Sequence, residues 1–324
     1  MNLPRMGLGC MNVSHAYGVP PSPEDGEALV RGALDEGVTF LDTATLYGGG
    51  RNEELVGRAI AGRRDEVVLA SKCGMAMVDG TKVIDGRPET IRAQVDASLG
   101  RLGVDHIDLY YLHRWDKTVP IAESVGALAE AVEAGKIGAI GLSEVSVVRL
   151  REAQTVAPIA AVQNEYSLWT RNAELGMLEA TRADGIALVA FSPVGRGFLA
   201  NGIDDPSTLA DKDIRRAMPR FQGENWAANA ALLPAWHGLA EQAGCTPAQL
   251  ALAWLLSRGE HVIPIPGTRS LAHLREDFAT LSLTVDAAIL EEAGRLISQE
   301  TVSGPRYNPG GTAEVDAETF EDAA

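Results

Sequence analysis

The alternation of apolar strand-like runs with helical segments is the feature that most limits what this chain can fold into. Runs such as Ile186-Ala187-Leu188-Val189-Ala190-Phe191 are apolar at every position, which is typical of a parallel strand that is covered on both faces. From residue 38 onward these runs alternate with helical segments, so the chain consists of repeated strand and helix units. About eight units are predicted. That number favours a closed (β/α)₈ barrel, the TIM barrel, over an open doubly wound sheet, which is the alternative.

The same patterns give the expected bounds of the elements. The predicted strands are near Met6–Cys10 and at Val38–Asp42, Val67–Lys72, Ile107–His113, Ile137–Ser143, Ile159–Tyr166, Ile186–Ser192 and Val262–Pro266. The first predicted helix begins after Ser22. The later ones are Asn52–Ile60, Pro88–Leu102, Ile121–Ala134, Val147–Thr155, Ala173–Ala183 and a helical stretch from about Asn229 to Arg258. Thr246-Pro247-Ala248-Gln249 is a capping box, so a new helix is expected to begin inside that stretch.

The domain organisation follows from length and local composition. A chain of 324 residues is long enough for two domains, but α/β barrels of this length form one. Because no linker divides the chain, we predict a single barrel over residues 1–307. From residue 308 the sequence is Gly- and Pro-rich and then acidic, with no Lys or Arg after Arg306. This composition predicts a disordered tail over residues 308–324.

The charge balance excludes two classes of partner. The formal net charge is −16, and a chain this acidic repels nucleic acid and anionic membrane surfaces. An anionic ligand must therefore be held by basic groups that are local to its site. The expected partner is a small molecule.

The expected location is the cytoplasm. The three cysteines, Cys10, Cys73 and Cys245, form no pairing pattern and no Cys-x-x-Cys motif, which fits buried thiols in a reducing compartment. The first residues lack the apolar core of a signal peptide, and no apolar run reaches the roughly 20 residues of a membrane span. The six histidines show no ligand spacing, so no metal site is predicted.

Polar side chains end the predicted strands. In an eight-stranded parallel barrel the carboxyl ends of all strands meet on one face, which is where the active site is expected. The residues there are Asp42, Lys72, His113, Ser143, Gln163, Ser192 and the Gly267-Thr268-Arg269 turn, and Tyr47 stands before three glycines shortly after Asp42. Each alone has a structural explanation, such as a side chain that closes a turn. Their recurrence at successive strand ends favours a catalytic site, in which Asp42 would keep Lys72 charged.

Four of these residues resemble the catalytic tetrad of the aldo-keto reductases, namely Asp42, Tyr47, Lys72 and His113. The resemblance runs from about Met6 to Tyr307. It is carried also by Gly141-Leu142-Ser143-Glu144, Gln163-Asn164-Glu165-Tyr166-Ser167-Leu168-Trp169, Ala190-Phe191-Ser192-Pro193-Val194-Gly195-Arg196-Gly197 and Pro264-Ile265-Pro266-Gly267-Thr268-Arg269. These segments are similar to those of the branch that contains pyridoxal reductases and plant aldehyde and ketone reductases.

The resemblance implies an NADPH-dependent reduction of aldehydes, with ketones as further candidates, on a (β/α)₈ barrel. Tyr47 would donate a proton to the carbonyl oxygen as hydride arrives. Lys72, held charged by Asp42, would lower the pKa of the phenol, and His113 would orient the carbonyl oxygen. The alternative is a nicotinamide-binding regulatory subunit that senses redox state, because barrels of this family also act as ion-channel partners.

The resemblance also implies a set of NADPH-binding residues. Ser143 and Gln163 match positions that bind the nicotinamide carboxamide, Phe191 would stack under the ring, and Glu276 and Asp277 fall where the family holds adenine. The remaining cofactor residues are Ser192, Pro193, Gly195, Arg196 and Gly197, whose loop would approach the pyrophosphate, and Gly267, Thr268 and Arg269.

Arg269 can meet the 2′-phosphate of NADPH with its planar guanidinium. The chain departs from many relatives at Glu144, where Asn is common, and at His273, where classical members carry Arg. Tyr17, Trp115, Phe221 and Trp226 are candidates for an apolar substrate pocket, with loop packing as the alternative for each.

Overall fold

The central sheet of this computed structural model, which describes residues 2–320, contains eight parallel strands. Two further strands form an antiparallel hairpin. The strands are β1 Leu8–Gly9, β2 Phe40–Asp42, β3 Val68–Cys73, β4 Met75–Val78, β5 Thr81–Ile84, β6 Leu109–Leu112, β7 Ile140–Ser143, β8 Ile159–Glu165, β9 Ala187–Phe191 and β10 Val262–Pro264. The sheet runs in the order β1-β2-β3-β6-β7-β8-β9-β10, and β4 pairs with β5.

Backbone hydrogen bonds between the first and last strands close the sheet. Gly7 N–H donates to the Pro264 carbonyl, and Gly9 N–H donates to that of Pro266, both at 3.0 Å. The predicted (β/α)₈ barrel is therefore confirmed, and the open sheet is excluded. In such a barrel the carboxyl ends of β2, β3 and β6 are neighbours on one face.

Helices connect and surround the strands. They are α1 Pro23–Asp35, α2 Arg51–Ile60, α3 Pro88–Leu102, α4 Ile121–Glu133, α5 Val147–Gln154, α6 Met177–Asp184, α7 Gly223–Ala230, α8 Leu233–Ala243, α9 Pro247–Leu256, α10 Leu271–Ala279, α11 Ala287–Leu296 and α12 Pro309–Ala313. Helix α1 begins where Ser22 caps the Asp25 N–H. Helix α9 begins at the predicted capping box, with Thr246 and Gln249 each accepting from the other's backbone N–H.

The barrel interior is filled by alternate residues of the strands. Phe40, Ala70, Leu109, Tyr111, Ala161, Val189, Ile263 and Ile265 form a buried cluster separate from the one between sheet and helices. Because side chains of a strand alternate between its two faces, the next inward positions are two residues further on. Those positions hold Asp42, Lys72, His113, Gln163 and Phe191. The side chains at the strand ends therefore form the next layer of the barrel interior, above the apolar cluster.

Close packing inside the barrel requires glycine at two positions. A Cβ on Gly141 would lie 2.3 Å from the Tyr111 ring, and one on Gly7 would lie 2.4 Å from the Phe40 ring. Each glycine thus leaves room for a large side chain of the neighbouring strand.

Several elements were not predicted from the sequence. The β4–β5 hairpin turns at Asp79-Gly80, both with positive φ, which is a known hairpin signal. Helix α10 begins where Ser270 caps the His273 N–H, and α11 and α12 also lie outside the predicted set. No helix within residues 2–320 is long and apolar enough to cross a membrane.

The C-terminal segment differs from the expected disorder over residues 308–320. Its acidic side chains bind the N-terminus of α5. The Asp316 carboxylate accepts from the Ser146 hydroxyl at 2.8 Å and its N–H at 3.2 Å, and Glu318 accepts from the Val147 N–H at 2.6 Å. Helix N-termini carry unsatisfied N–H groups and a partial positive charge, so they attract carboxylates. The last part of the predicted tail, residues 321–324, lies outside the described residues.

Candidate active site

A cavity of about 620 Å³ opens at the carboxyl ends of the barrel strands and extends to α10. Most of the predicted site residues line it. They are Tyr17, Asp42, Tyr47, His113, Ser143, Gln163, Phe191, Ser192, Pro193, Arg196, Gly197, Gly267, Thr268, Arg269, Glu276 and Asp277, together with His273. The structure thus brings residues from across the chain to one cleft.

Lys72 lies beneath this cavity and connects two other residues of the predicted tetrad. Its side chain is 0% exposed. Its ammonium donates to the Asp42 carboxylate, to the Thr43 carbonyl at 2.8 Å and to the Tyr47 hydroxyl at 3.4 Å. The Gln163 amide donates to the other Asp42 oxygen at 2.7 Å. Both oxygens of Asp42 are therefore occupied, which fixes the direction of the Lys72 ammonium.

The surroundings of Lys72 and Tyr47 set their protonation. Burial disfavours the charged form of Lys72, but Asp42 and Tyr47 outweigh it and raise the Lys72 pKa. Burial raises the pKa of the Tyr47 phenol, and the Lys72 charge opposes this effect. The sequence predicted a net lowering of the phenol pKa, and the structure differs because desolvation is the larger effect. Tyr47 is thus fully protonated at neutral pH, with a cation beside its oxygen.

His113 completes the group as a neutral imidazole. It is 6% exposed, and its ring lies 5.8 Å from that of Tyr47 at an interplanar angle of 84°. Burial lowers the His113 pKa well below its usual value, and the charges of Arg114, Lys72 and Lys82 lower it further. The ring therefore faces the cavity as a neutral hydrogen-bonding group beside the phenol.

Glycine conformations place Tyr47 at the cavity. Gly48, Gly49 and Gly50 all have positive φ, at 60°, 66° and 93°. Only glycine adopts such angles without strain. Three consecutive left-handed residues reverse the chain between the end of β2 and the start of α2, and the tyrosine lies at the start of this reversal.

The opposite end of the cavity is built around the start of α10. Arg269 is exposed there and donates from one terminal nitrogen to the carbonyls of Tyr17 at 3.3 Å and Val19 at 2.7 Å. His273 lines the same region. Two basic side chains at a helix N-terminus form a site for an anion such as phosphate. Arg275, by contrast, pairs with Glu36 on the outer surface.

The two acids of α10 differ in their surroundings. Glu276 accepts from the Thr246 hydroxyl at 2.6 Å, which joins it to α9. Asp277 is 8% exposed, and burial, together with the charge of Glu276, raises its pKa to about 7. A carboxyl that is partly protonated at neutral pH can both donate and accept hydrogen bonds, as the amide of an asparagine does.

The loop after β9 presents backbone to the cavity. Arg196 and Gly197 both have positive φ, at 57° and 93°. The Arg196 guanidinium is paired with Glu165 at 2.6 Å and donates to the Tyr17 hydroxyl at 3.2 Å. Its charge is therefore neutralised inside the protein. Gly195 does not line the cavity; a Cβ there would lie 3.2 Å from Trp169.

Glu144, where the sequence departs from many relatives, points away from the cavity. It is buried, forms an ion pair with Arg306 and accepts from the Glu165 N–H at 2.8 Å. A carboxylate at this position thus holds Arg306, just before the C-terminal segment, against the end of β8.

Three of the four predicted pocket aromatics pack elsewhere, and only Tyr17 lines the cavity. Phe221 and Trp226 stack on each other, with ring centroids 6.0 Å apart, and belong to a cluster with Trp169 and Phe198. Trp115 lies under the Arg149 guanidinium at 4.3 Å and donates to the Val119 carbonyl. The alternative of loop packing therefore applies to these three.

Other residues supply the apolar wall at the tetrad end. Met11, Leu46 and Met75 line the cavity beside Tyr47. Met75 is the first residue of the β4–β5 hairpin. The Asp79-Gly80 turn is the sequence signal from which this hairpin, and thus its contribution to the cavity wall, could have been predicted.

Comparison with known proteins gives consistent matches over nearly the whole chain. The sequence profile of the aldo/keto reductase family matches residues 5–293. The chain is 40% identical over 324 residues to yakc, an NADP(+) aldo-keto reductase of Schizosaccharomyces pombe. That match covers 98% of this chain and 95% of the relative.

Solved structures of similar proteins share the fold. The glycerol dehydrogenase AKR11B4 from Gluconobacter oxydans matches with a TM-score of 0.83 at 30% identity over 94% of each chain. An aldo/keto reductase from Klebsiella pneumoniae, solved with NADP and acetate, matches with a TM-score of 0.70 at 27% identity. The second match covers 97% of this chain and 95% of that one.

Proposed function

The chain belongs to the aldo/keto reductase family, and from this we propose that it reduces aldehydes, and ketones as further substrates, with Tyr47 as the general acid. It is an NADP-dependent oxidoreductase. We also propose the branch of pyridoxal reductases and plant aldehyde and ketone reductases as its nearest group, and the cytoplasm as its location.

The cavity residues fit NADP(H). Ser143 and Gln163 can hydrogen-bond a carboxamide near the tetrad, and the Phe191 side chain lines the same wall, where its ring can stack. At the other end, Arg269, His273 and the start of α10 suit a phosphate. The carboxamide would thus meet uncharged polar groups near the tetrad, and the 2′-phosphate would meet basic groups at the other end of the cavity.

The tetrad supports proton donation to a carbonyl oxygen. NADPH, when bound, supplies the hydride to the carbonyl carbon. Tyr47 donates its proton to the oxygen as negative charge develops there, and Lys72 at 3.4 Å stabilises the phenolate that remains. Asp42 keeps Lys72 charged. Neutral His113 faces the same oxygen position and orients the carbonyl. The observation that carries the proposal is the fully buried Lys72 ammonium, which contacts both Asp42 and Tyr47.

The alternative function, a redox-sensing regulatory subunit, has less support. A sensor needs cofactor binding but no proton donor, whereas the Tyr47 phenol and its buried cation are arranged as donor and stabiliser. Rapid turnover of an aldehyde would decide between the two functions.

A screen of NADPH oxidation tests the proposal. Pyridoxal, small aliphatic aldehydes and aromatic aldehydes are the substrates, and Tyr47→Phe is the diagnostic variant. Because this change removes only the hydroxyl, carbonyl reduction should fall by about 10²–10⁴ while NADPH affinity and melting temperature hold. Near-normal turnover by the variant would overturn the assignment of Tyr47.

Lys72→Met is a less direct test. It would leave Asp42 buried without its counter-ion, and such a change typically costs about 3–5 kcal/mol of stability. A loss of activity in that variant would therefore mix a catalytic effect with a folding effect.

A further inference from the structure

One cation at the tetrad end of the cavity lacks a counter-ion. Arg114 follows His113 in the chain and lines the cavity with it. One of its terminal nitrogens donates to the His113 carbonyl at 2.6 Å and to the Ser143 hydroxyl at 3.2 Å. Its Nε is buried without a hydrogen-bond partner, and within residues 2–320 no carboxylate lies at ion-pair distance from it.

Apart from Arg269 at the opposite end, which contacts only backbone carbonyls, the other cations near this cavity are neutralised by the protein. Lys72 is paired with Asp42, and Arg196 with Glu165. Arg215 is paired with Asp213 at 2.7 Å, and Lys82, in the hairpin, with Glu314 of the C-terminal segment at 2.5 Å. In a chain of net charge −16, acids are plentiful. Within residues 2–320, partly buried Arg114 is thus the cation at the tetrad end of the cavity that no carboxylate neutralises.

The cofactor does not supply the missing charge. The phosphate-binding features, Arg269 and His273, follow β10, whereas Arg114 follows β6. These strands are four apart in an eight-stranded ring, so they lie on opposite sides of the barrel. The nicotinamide end of the dinucleotide, which would lie near Ser143, carries no negative charge. The counter-ion of Arg114 must then come from the substrate.

We propose that the carbonyl substrate carries a carboxylate, and that Arg114 binds this group while Tyr47 and His113 hold the carbonyl oxygen. The inference rests on the proposed reductase function. A planar guanidinium matches a carboxylate in shape. One unpaired cation also balances one negative charge, which favours a carboxylate over a phosphate with about two charges. Arg114 would act on specificity, since it is placed to contact the substrate away from the reacting carbon.

The test compares charged and neutral aldehydes of one size. The substrates are 2-, 3- and 4-carboxybenzaldehyde, each beside its methyl ester, and the readout is the ratio of kcat/KM for acid over ester. In Arg114→Met the ratio for the preferred isomer should fall about ten- to hundredfold, the range for a lost hydrogen bond to a charged group. Arg92→Met is the matched control, because Arg92 is exposed on α3 and pairs with Glu130. Its ratio should stay within about twofold of the wild type.

The ratio makes the result independent of folding yield, because both substrates are measured on the same preparation. An equal loss for acid and ester would overturn the inference and assign Arg114 to positioning of His113 and Ser143. An unchanged ratio would also overturn it. If the wild-type protein reduced none of these aldehydes, pyridoxal or the aliphatic set, the proposed function itself would fail. Turnover of the esters with an unchanged ratio would refute only the role of Arg114.

Discussion

At the scale of single residues, burial decides which substitution is informative. Lys72 is buried beneath the cavity and Asp42 is buried in its floor, so removal of either leaves a charge without its partner. Arg269 is exposed at the rim, where its guanidinium contacts only two backbone carbonyls. A change at the rim therefore reports on ligand binding, whereas a change at the floor reports on stability as well.

Arg269→Ala should distinguish NADPH from NADH. The variant loses a charge-assisted contact to the 2′-phosphate, and we expect NADPH to bind about ten- to hundredfold more weakly. NADH lacks that phosphate and should bind almost as before. Fluorescence titration of both cofactors checks this. Arg275→Ala, which removes the Glu36 pair outside the cavity, is the control. Equal weakening of both cofactors would mean that Arg269 serves the fold and would make His273 the better candidate.

Asp277 should make the stability of the ligand-free protein depend on pH. Its carboxyl titrates near 3.8 when exposed and near 7 in the folded state. A raised pKa means that folding disfavours the charged form, so the penalty is absent below about pH 4, grows as pH rises, and is complete above pH 7. Asp277→Asn should therefore raise the melting temperature at pH 8 by several degrees and have little effect at pH 4.5.

Differential scanning fluorimetry at the two pH values measures this effect. Asp105→Asn, at an exposed position, should shift both melting temperatures equally. A gain for Asp277→Asn that is the same at both pH values would show that its carboxyl does not titrate in this range.

At the scale of elements, short helices depend on side chains that come from elsewhere. Helix α5 has only eight residues and begins beside the cavity residue Ser143. Ser146 is its N-cap residue, and the Ser146 hydroxyl accepts from the Arg149 N–H. Asp316 and Glu318 of the C-terminal segment accept from the N–H groups of Ser146 and Val147. The acidic composition that predicted disorder thus supplies the capping groups, because the acids meet the positive end of a helix.

Removal of the C-terminal segment should consequently destabilise the barrel. A disordered tail, as its composition predicts, could be removed without any change in stability. Two lost caps correspond to about 1–3 kcal/mol, so Asp316→Asn with Glu318→Gln should lower the melting temperature by about 2–6 °C. Truncation after Tyr307 should lower it at least as much. Glu300→Gln, at an exposed site, is the control. Unchanged melting in both the double variant and the truncated chain would mean that the segment does not stabilise the barrel.

At the scale of the whole molecule, two loops distant in sequence meet across the cavity. Residues 16–19 follow β1, and residues 213–215 follow β9. Gly18 N–H donates to Asp213 at 2.8 Å, and Ile214 N–H donates to the Ala16 carbonyl at 3.1 Å. The Arg215 guanidinium also lies 5.2 Å from the Tyr17 ring. Tyr17, Ile214 and Arg215 line the cavity, so we expect the release of a ligand that fills it to require separation of the two loops.

Asp213→Ala should speed the release of NADP(H). The variant loses the Gly18 hydrogen bond and the Arg215 ion pair, and we expect the dissociation rate to rise about tenfold, the low end for a lost hydrogen bond to a charged group. Stopped-flow fluorescence with bound NADPH measures the rate. Asp205→Ala is the matched control, because Asp205 caps a turn of the same loop through Ser207. An unchanged rate in Asp213→Ala would show that the contact does not limit release.

The sequence alone determined the barrel and the identity of its strand ends. An uninterrupted apolar run can be buried only in a strand covered on both faces, and eight such runs with intervening helices close into a barrel. The last inward position of each strand is set by the period of two along the chain. Asp42, Lys72 and His113 could therefore be assigned to one face from the strand pattern alone. Local signals were equally sufficient for the start of α9, since a capping box needs only four residues.

Only the tertiary structure decided what depends on contacts between distant segments. Burial outweighs the Lys72 charge in the pKa of Tyr47, and no pattern along the chain reports desolvation. Glu144 faces Arg306 rather than the cavity, and Phe221 packs against Trp169 rather than lining the cavity, because loop conformation sets these directions. The acidic segment docks because α5 presents its N-terminus there. Sequence periodicity specifies which face a residue occupies, whereas partners separated by a hundred residues or more are fixed only when the chain has closed.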